Sequence, residues 1–304
     1  MFKNLSSNEI IKHYRTPIVG YIFVIPSLFF IVVFLIYPLI SAFIVSFHRW
    51  DGVGTPTFIG LKNYINLLIK DDIFFLAIKN TLIYSLISTI GITIIGFLLA
   101  LTIDRRVAGW KIYKVLWFLP VVMSRTVVSV LWSKLYDPKQ GLINKILDIL
   151  HLDFLKNDWL GNPDIAIISA GIVDVWQYTG LGMIILLVAM EAIPIEIHEA
   201  ATLDGVNPLR RATHIVFPLI KDVLVTLILF LFISAAKTFD TIYVLTKGGP
   251  GNSTTVLPLH LYNNAFRYFK FGYASSIAVF MLILLITLSL LYQKASKTGK
   301  GSEE

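Results

Sequence analysis

The stretch "EAATLDGVNPLRRATHIVFP", residues 199–218, is polar and charged, yet it lies between two of the most hydrophobic segments of the chain. Pro194 fits the first position of a helix, and Glu196 follows in the first turn, where the helix dipole favours negative charge. Gly205 can end that helix in a left-handed turn. The Asn-Pro pair at 207–208 can then cap and begin a second helix. The stretch therefore predicts a helix, a turn and a second helix along a membrane surface, with a solvated connecting loop as the alternative.

The composition of the whole chain is that of a membrane protein. Of its 304 residues, 56% are hydrophobic and only 15% are charged, and the mean hydropathy is +0.75. Soluble domains carry about a quarter charged residues. The net charge of +7 bears first on membrane topology rather than on nucleic acid. Because the sequence contains no cysteine, disulfides, thiolate metal sites and cysteine nucleophiles are excluded.

Six apolar segments are long enough to cross a membrane. Hydrocarbon about 30 Å thick needs roughly 20 apolar residues in a helix, and a helix satisfies its own backbone groups in lipid. The segments are approximately 18–47, 80–103, 114–136, 165–192, 222–245 and 274–292. We therefore predict an all-α polytopic membrane protein of one domain, 1–304. It comprises a six-helix core over 18–292, an N-terminal tail over 1–17 and a C-terminal tail over 293–304.

Lysine and arginine predict the orientation of these spans. They are dense in the N-terminal tail, in "DRRVAGWKIYK" (104–114), in the stretch 199–218 and in the C-terminal tail. The opposite loops mix lysine with many aspartates. Since basic loops stay in the cytoplasm, both termini and the stretch 199–218 are expected there. Helical spacing in the opposite loops predicts short helices near 58–68 and 143–155.

One pattern within the opening stretch resembles the signature of bacterial ABC importer permeases. That signature reads Glu-Ala-Ala, three residues, Gly, nine residues, Ile, one residue, Leu, Pro, and Phe217 stands here in place of the Leu. The matching positions are Glu199, Ala200, Ala201, Gly205, Ile215 and Pro218. Segments such as "FIGLKNYINLL" (58–68) and "FDTIYVLTKGGPGNSTTVLPL" (239–259) are similar to maltose-type carbohydrate permeases. More narrowly, they resemble the first of that family's two paired permeases.

The resemblance implies partners, a substrate and a location. In such permeases the Glu-Ala-Ala segment is a coupling helix, seated in a cleft of an ATPase subunit. The expected partners are a second homologous permease, two ATPase subunits that hold ATP and Mg, and an extracellular sugar-binding protein. The expected substrate is a carbohydrate, an oligosaccharide, imported across the bacterial cell membrane.

No catalytic or cofactor motif is found in this chain. It has no G-x-x-x-x-G-K-[ST] sequence, so it is not expected to be an enzyme or to bind ATP itself. Its six histidines show no metal-ligand spacing, and no metal site is expected.

Ionisable residues inside membrane spans are costly and are therefore functional candidates. Away from the ends of the predicted spans there are four of them: Arg125, Asp174, Lys237 and Asp240. Lys237 and Asp240 are three residues apart and can pair on one helical face. The pair is either a structural salt bridge or one wall of a water-filled substrate cavity. A rival function, an ion-coupled secondary transporter that uses this pair, would need an inverted repeat, and the sequence shows none.

Aromatic and polar residues near these charges suggest a sugar site. Sugars stack their CH faces on rings while their hydroxyls take polar partners, although Trp176 and Tyr178 could equally serve packing. The candidate cavity residues are Asp174, Trp176, Tyr178, Lys237, Asp240 and Tyr243. Gly180 and Gly182 are expected to loosen or break the fourth span.

Overall fold

The structure is a computed structural model that describes residues 17–104 and 108–300, the side chains at 17–20, 22, 293 and 295–300 excepted. Most of the predicted N-terminal tail, the centre of the basic link after the second span and the last four residues lie outside the described residues. The helices are α1 (Pro17–Ile31), α2 (Tyr37–Val45), α3 (Lys62–Ile69), α4 (Asp72–Asp104), α5 (Trp110–Val122), α6 (Arg125–Leu135), α7 (Leu142–Ile149), α8 (Ala166–Glu191), α9 (Ile195–Leu203), α10 (Pro208–Arg210), α11 (Phe217–Leu219), α12 (Lys221–Ala236), α13 (Asp240–Leu245), α14 (Leu257–Tyr262) and α15 (Phe271–Lys300).

Shorter elements join these helices. A π-helical turn over Val32–Ile36 links α1 to α2, a second over Arg211–Val216 links α10 to α11, and a third over Asn263–Arg267 follows α14. A 3-10 turn covers Asp153–Leu155. The two-residue strands β1 (His48–Arg49) and β2 (Thr57–Phe58) pair antiparallel, with His48 opposite Phe58. The predicted short helices correspond to α3 and to α7 with the 3-10 turn.

Within the described residues, four helices are long and apolar enough to span a membrane on their own. They are Phe23–Val45, which runs from α1 through the π turn into α2, then α4, α8 and the Phe271–Tyr292 part of α15. These four correspond to the predicted first, second, fourth and sixth spans. The chain is therefore an all-α polytopic membrane protein, as predicted, and it reaches six spans if each of two bent helix pairs counts as one.

The predicted third span, 114–136, is not a single helix. It consists of α5 and α6, whose axes differ by 100°. Pro120 lies in the last turn of α5, and Met123 takes an extended conformation with ψ 144°. The side chain of Ser124 then caps α6 by accepting a hydrogen bond from the amide of Val127. The cap at Ser124 therefore begins a new helix within a segment whose apolar pattern is continuous.

The predicted fifth span, 222–245, is also interrupted. It begins with α12, which meets the preceding segment Pro208–Leu219 at a bend of 75°. That helix ends at Ala236, and a three-residue break precedes α13. Asp240 opens α13, where its carboxylate lies at the positive end of the helix dipole.

Glycines let α4 and α8 pack closely against each other. A Cβ atom built on Gly96 would lie 2.9 Å from the backbone nitrogen of Met183. One built on Gly182 would lie 2.9 Å from Cγ2 of Ile92, and one on Gly91 would lie 2.5 Å from Cγ2 of Val175. Small residues let helix backbones approach in this way within a membrane.

The prediction that Gly180 and Gly182 loosen or break the fourth span is wrong. The helix α8 is continuous from Ala166 to Glu191. A Cβ atom on Gly180 would collide with the backbone carbonyl oxygen of Trp117 in α5. Both glycines therefore serve close packing, Gly182 against α4 and Gly180 against α5.

The hydrophobic core follows these contacts. The buried side chains of Ile92, Met183, Leu187 and Leu227 belong to one cluster that joins α4, α8 and α12. A second cluster, with Tyr84, Val128, Ala170 and Ile242 among its members, joins α4 and α8 to α6 and α13. A third cluster packs α3 and the start of α4 against α14 and α15.

Filling the space at Gly96 tests the α4–α8 contact. We expect Gly96→Ile to destabilise the purified protein by about 1–3 kcal/mol, because the added atoms must displace the α8 backbone. The measurement is thermal unfolding in detergent. Ile90→Phe, at an exposed position of the same helix, is the control and should leave the melting temperature near that of the wild type. Equal melting temperatures for Gly96→Ile and the wild type would contradict the contact.

Candidate functional site

The stretch 199–218 folds as a helix, a left-handed turn and a second helical segment. Pro194 is the residue that precedes α9 rather than its first residue, so the predicted start is one position too early. Gly205 follows the helix with φ +64°, and a Cβ there would meet nothing within 4 Å. The requirement for glycine is therefore conformational and not a matter of space within this chain.

The second segment begins as predicted and continues differently. The side chain of Asn207 accepts a hydrogen bond from the amide of Arg210 at 2.8 Å, and Pro208 opens α10. Only three residues of α10 are α-helical before the π turn over Arg211–Val216 and the short α11. The second predicted helix is therefore a mixed α and π segment.

An ion pair anchors this segment to the end of α4. Nη2 of Arg211 lies 3.2 Å from Oδ2 of Asp104, the last residue of α4. Ala201 is buried, and so are Ala212 and Val216 on the second segment. The stretch 199–218 is therefore packed against one end of the helix bundle.

The motif residues divide between a buried and an exposed face. Glu199, Ala200, Gly205 and Pro218 are exposed, Ala201 is buried and Ile215 is half-buried. Leu203, at the end of α9, is 89% exposed. A groove of about 1,100 Å³ runs beside α9, and Trp110, His198, Glu199 and Leu203 are among its lining residues. Glu199 of the motif is therefore both exposed and part of the wall of this groove.

A second polar centre lies within the helices, around Arg125 at the start of α6. Its Nε donates a hydrogen bond to the hydroxyl of Tyr178 at 2.8 Å, and its Nη1 donates to the hydroxyl of Thr238 at 2.7 Å. Its Nη2 lies 3.9 Å from Oδ1 of Asp174. Arg125 therefore connects the bend between α5 and α6, the middle of α8 and the break between α12 and α13.

Asp174 depends on Arg125 to compensate the cost of burying its negative charge. The Asp174 side chain is 3% exposed, and its Oδ1 accepts no hydrogen bond in the described part of the chain. A carboxylate withdrawn from water is costly unless a charge of opposite sign lies close to it. The sequence marked both residues as ionisable but gave no sign that they meet, since 49 positions separate them. Thr238, which accepts a hydrogen bond from Arg125, carried no signal of its own in the sequence.

The other predicted cavity residues lie outside this Arg125 centre. Trp176 is half-buried and packs edge-to-face on Trp132, with ring centroids 5.7 Å apart. Tyr243 stacks on Phe239 at 5.1 Å and meets the ring of Tyr262 at 5.5 Å.

Lys237 and Asp240 are both exposed, and within the described residues they form no ion pair with each other. Residues three positions apart share a face only on a continuous helix, whereas α12 ends at Ala236. Among the described residues, no group of three histidine or acidic side chains is arranged to hold a metal ion.

Comparison with known proteins identifies the family. Residues 95–298 match the family described as the binding-protein-dependent transport system inner membrane component. The chain belongs to this family. The matched region includes α8, the stretch 199–218 and the break between α12 and α13. The predicted membership among ABC importer permeases of the maltose-type carbohydrate family is confirmed, and the rival, a secondary transporter, is not favoured.

Individual relatives cover the permease chain almost end to end. The trehalose/maltose transport system permease protein MalF of Thermococcus litoralis is 33% identical over 302 residues, which is 98% of this chain and 99% of the relative. The arabinooligosaccharides transport system permease protein AraP of Bacillus subtilis is 30% identical over 291 residues, 95% of this chain and 91% of the relative.

A solved structure shares the fold of the permease. It is a chain of a bacterial ABC transporter involved in the import of the acidic polysaccharide alginate, with a TM-score of 0.82 and 22% identity. The match covers 95% of this chain and 99% of that one. The likeness supports the membrane-helix architecture described above.

Removal of one of the two charges at the polar centre tests how much the pair contributes to stability. We expect Arg125→Met to lower the free energy of unfolding by about 3–5 kcal/mol, because it leaves Asp174 buried without a cation. The double variant Arg125→Met/Asp174→Leu should recover most of that loss. Equilibrium unfolding in mixed micelles measures both, and Lys134→Met, an exposed cation on the same helix, is the control. Full stability in the single variant would contradict the role of the pair.

Proposed function

We propose that this chain is the membrane-spanning permease subunit of an ATP-driven importer for oligosaccharides. The observation that carries the proposal is the ordered α9 and its Gly205 turn, which present the Glu-Ala-Ala motif at one end of the bundle. Membership in the binding-protein-dependent family supports it. The names of the relatives, which include trehalose/maltose and arabinooligosaccharides, support a carbohydrate as the substrate.

The proposed complex has four kinds of member. This chain and a second homologous permease form a heterodimer in the bacterial cell membrane, as single multi-pass domains with both termini in the cytoplasm. Two ATPase subunits, which hold ATP and Mg, dock on the cytoplasmic face. An extracellular sugar-binding protein docks on the opposite face, where it delivers the oligosaccharide. The energy comes from ATP on the partner subunits, and no cofactor is assigned to this chain.

Exposed charges at the break in the fifth span support a water-filled pathway. Lys237 and Asp240 are exposed although they follow a helix as apolar as α12. Charged side chains that face lipid are costly and usually turn toward a cavity or a partner. We place these two residues and Tyr243 on the wall of a sugar pathway between the two permeases. Asp174 and Tyr178 hold Arg125 behind that wall, and Trp176 is proposed as a stacking surface for a sugar ring.

The chain can transmit motion from α9 to the helices. Movement of α9 in an ATPase cleft acts on the second segment through the Gly205 turn, and Arg211 carries it to α4 through Asp104. Since α4 and α8 interlock through glycines, the displacement reaches the Arg125 centre. The two end states would differ in their affinity for the sugar, as transport requires.

Two substitutions in the motif test the coupling role. We expect Glu199→Lys and Gly205→Asp to leave the permease pair in the membrane and to abolish sugar-stimulated ATP hydrolysis in reconstituted vesicles. Loss of a paired charge at an interface weakens the binding free energy by about 2–5 kcal/mol. A side chain at position 205 adds roughly 1–2 kcal/mol of backbone strain and strikes the ATPase surface.

Matched controls separate coupling from general damage. Asp164→Lys reverses an exposed acidic residue outside the motif, and Gly60→Asp adds a side chain to an open glycine with φ +57°. Both controls should keep the stimulation. Unchanged stimulation in Glu199→Lys and Gly205→Asp would end the coupling proposal.

A further inference from the structure

A cavity of about 930 Å³ opens at the end of the bundle opposite α9. The hairpin of β1 and β2, α3, the start of α4 and the segment from α14 to the start of α15 surround it. The proposed transport pathway does not use this cavity, which lies at the face where the binding protein would dock. Pockets of roughly 300–1,000 Å³ are typical of sites for small molecules.

A fixed hydrogen-bond network forms one wall. The carboxylate of Asp71 accepts hydrogen bonds from the hydroxyl of Tyr273 at 2.6 Å and from Nε2 of the buried His260 at 2.8 Å. Nδ2 of Asn264 donates to the carbonyl of His260 at 2.9 Å. Burial raises the pKa of Asp71, but the hydrogen bonds from Tyr273 and His260 outweigh it and hold the pKa below its usual value. The wall is therefore an ionised, rigid frame at neutral pH.

The other polar groups that line the cavity divide into those with internal hydrogen bonds and those without. The amide of Asn63 is committed, because it donates to the carbonyls of Ser46 and His48. In contrast, the side-chain amides of Asn66 and Asn263 make no hydrogen bond within the described residues, although both line the cavity. Lys70 and Lys270 also line it and form no ion pair in that part of the chain. These four donors are available to a ligand.

Aromatic rings stand at the rim of the same cavity. Tyr268 and Phe269 are both exposed, and Phe269 has φ +53°, a left-handed conformation that is rare for an aromatic residue. The amides of Tyr268 and Lys270 donate to the carbonyls of Asn263 and Asn264 and hold this turn. Trp50 lines the cavity as well and packs on Phe271 at 5.6 Å. A strained backbone that presents a ring at a cavity is a mark of a functional site.

We propose that this cavity binds an oligosaccharide of two or three sugar units at the outer face. Exposed rings suit the CH faces of a sugar, and the uncommitted amide and ammonium donors suit its hydroxyls. The inference rests on the proposed function as a carbohydrate permease and adds to it a sugar site in the permease that lies outside the membrane pathway. A concave lining with a fixed polar frame favours a small polyol over a flat protein contact.

Saturation-transfer NMR on the assembled importer in nanodiscs, without the binding protein, tests the site. The probes are maltotriose, cellotriose and xylotriose. Phe269→Gly removes the ring and relieves the positive φ, so folding is not at risk, and Asn66→Ala removes one free amide. At least one probe should bind the wild type, and each variant should weaken that binding at least fivefold. Phe154→Ala, an exposed ring outside the cavity, should leave the binding unchanged.

Several outcomes would overturn the inference. Wild-type sugar signals in both variants would place the sugar elsewhere. If the variants weaken capture of the binding protein but leave the sugar signal unchanged, the cavity is a protein contact instead. Binding of inorganic phosphate without binding of any sugar would mark an anion site.

Uptake by the same wild-type complex separates this inference from the proposed function. ATP-driven uptake of a labelled oligosaccharide without a sugar signal at the cavity overturns the cavity site alone. Absence of both uptake and signal overturns the cavity site together with the carbohydrate function.

Discussion

The glycine-mediated contact between α4 and α8 is the constraint on which the other helices depend. Lipid offers no hydrophobic drive between apolar helices, so close backbone packing must hold them together. Gly91 and Gly96 on α4 and Gly182 on α8 leave no room for a side chain at this contact. Gly180 brings the backbone of α5 against α8 in the same way. The position of α5 determines where α6 begins after the 100° bend. Arg125, the first residue of α6, thereby reaches α8 and the break after α12.

Arg125 then organises the interrupted spans. It reaches Tyr178 and Asp174 on α8 and Thr238 at the break after α12. A buried carboxylate that loses its cation costs several kcal/mol, so the two interrupted spans are tied to α8 and to each other. At one end of the bundle the Asp104–Arg211 pair ties the motif segment to α4. At the other end Asp71, His260 and Tyr273 tie α4 to α14 and α15.

Local signals in the sequence predicted local structure well. Long apolar runs located α4 and α8, Gly205 located the left-handed turn, and Asn207 located the cap of the second segment. The interrupted spans were missed because an apolar run does not record that Ser124 caps a new helix or that α12 ends at Ala236. The roles of Gly180 and Gly182 depend on the helix that faces them, and the meeting of Arg125 and Asp174 depends on the fold. The motif residues were found through family resemblance, whereas the polar centre required tertiary structure.

We propose that ATP, rather than an ion gradient, drives sugar through this permease. The direct measurement is uptake of a labelled oligosaccharide into vesicles that contain the two permeases and the ATPases, with the binding protein supplied on the uptake side. We expect accumulation that requires both ATP and the binding protein and that persists when ionophores collapse all ion gradients. Accumulation driven by an imposed proton or sodium gradient in the absence of ATP would contradict it.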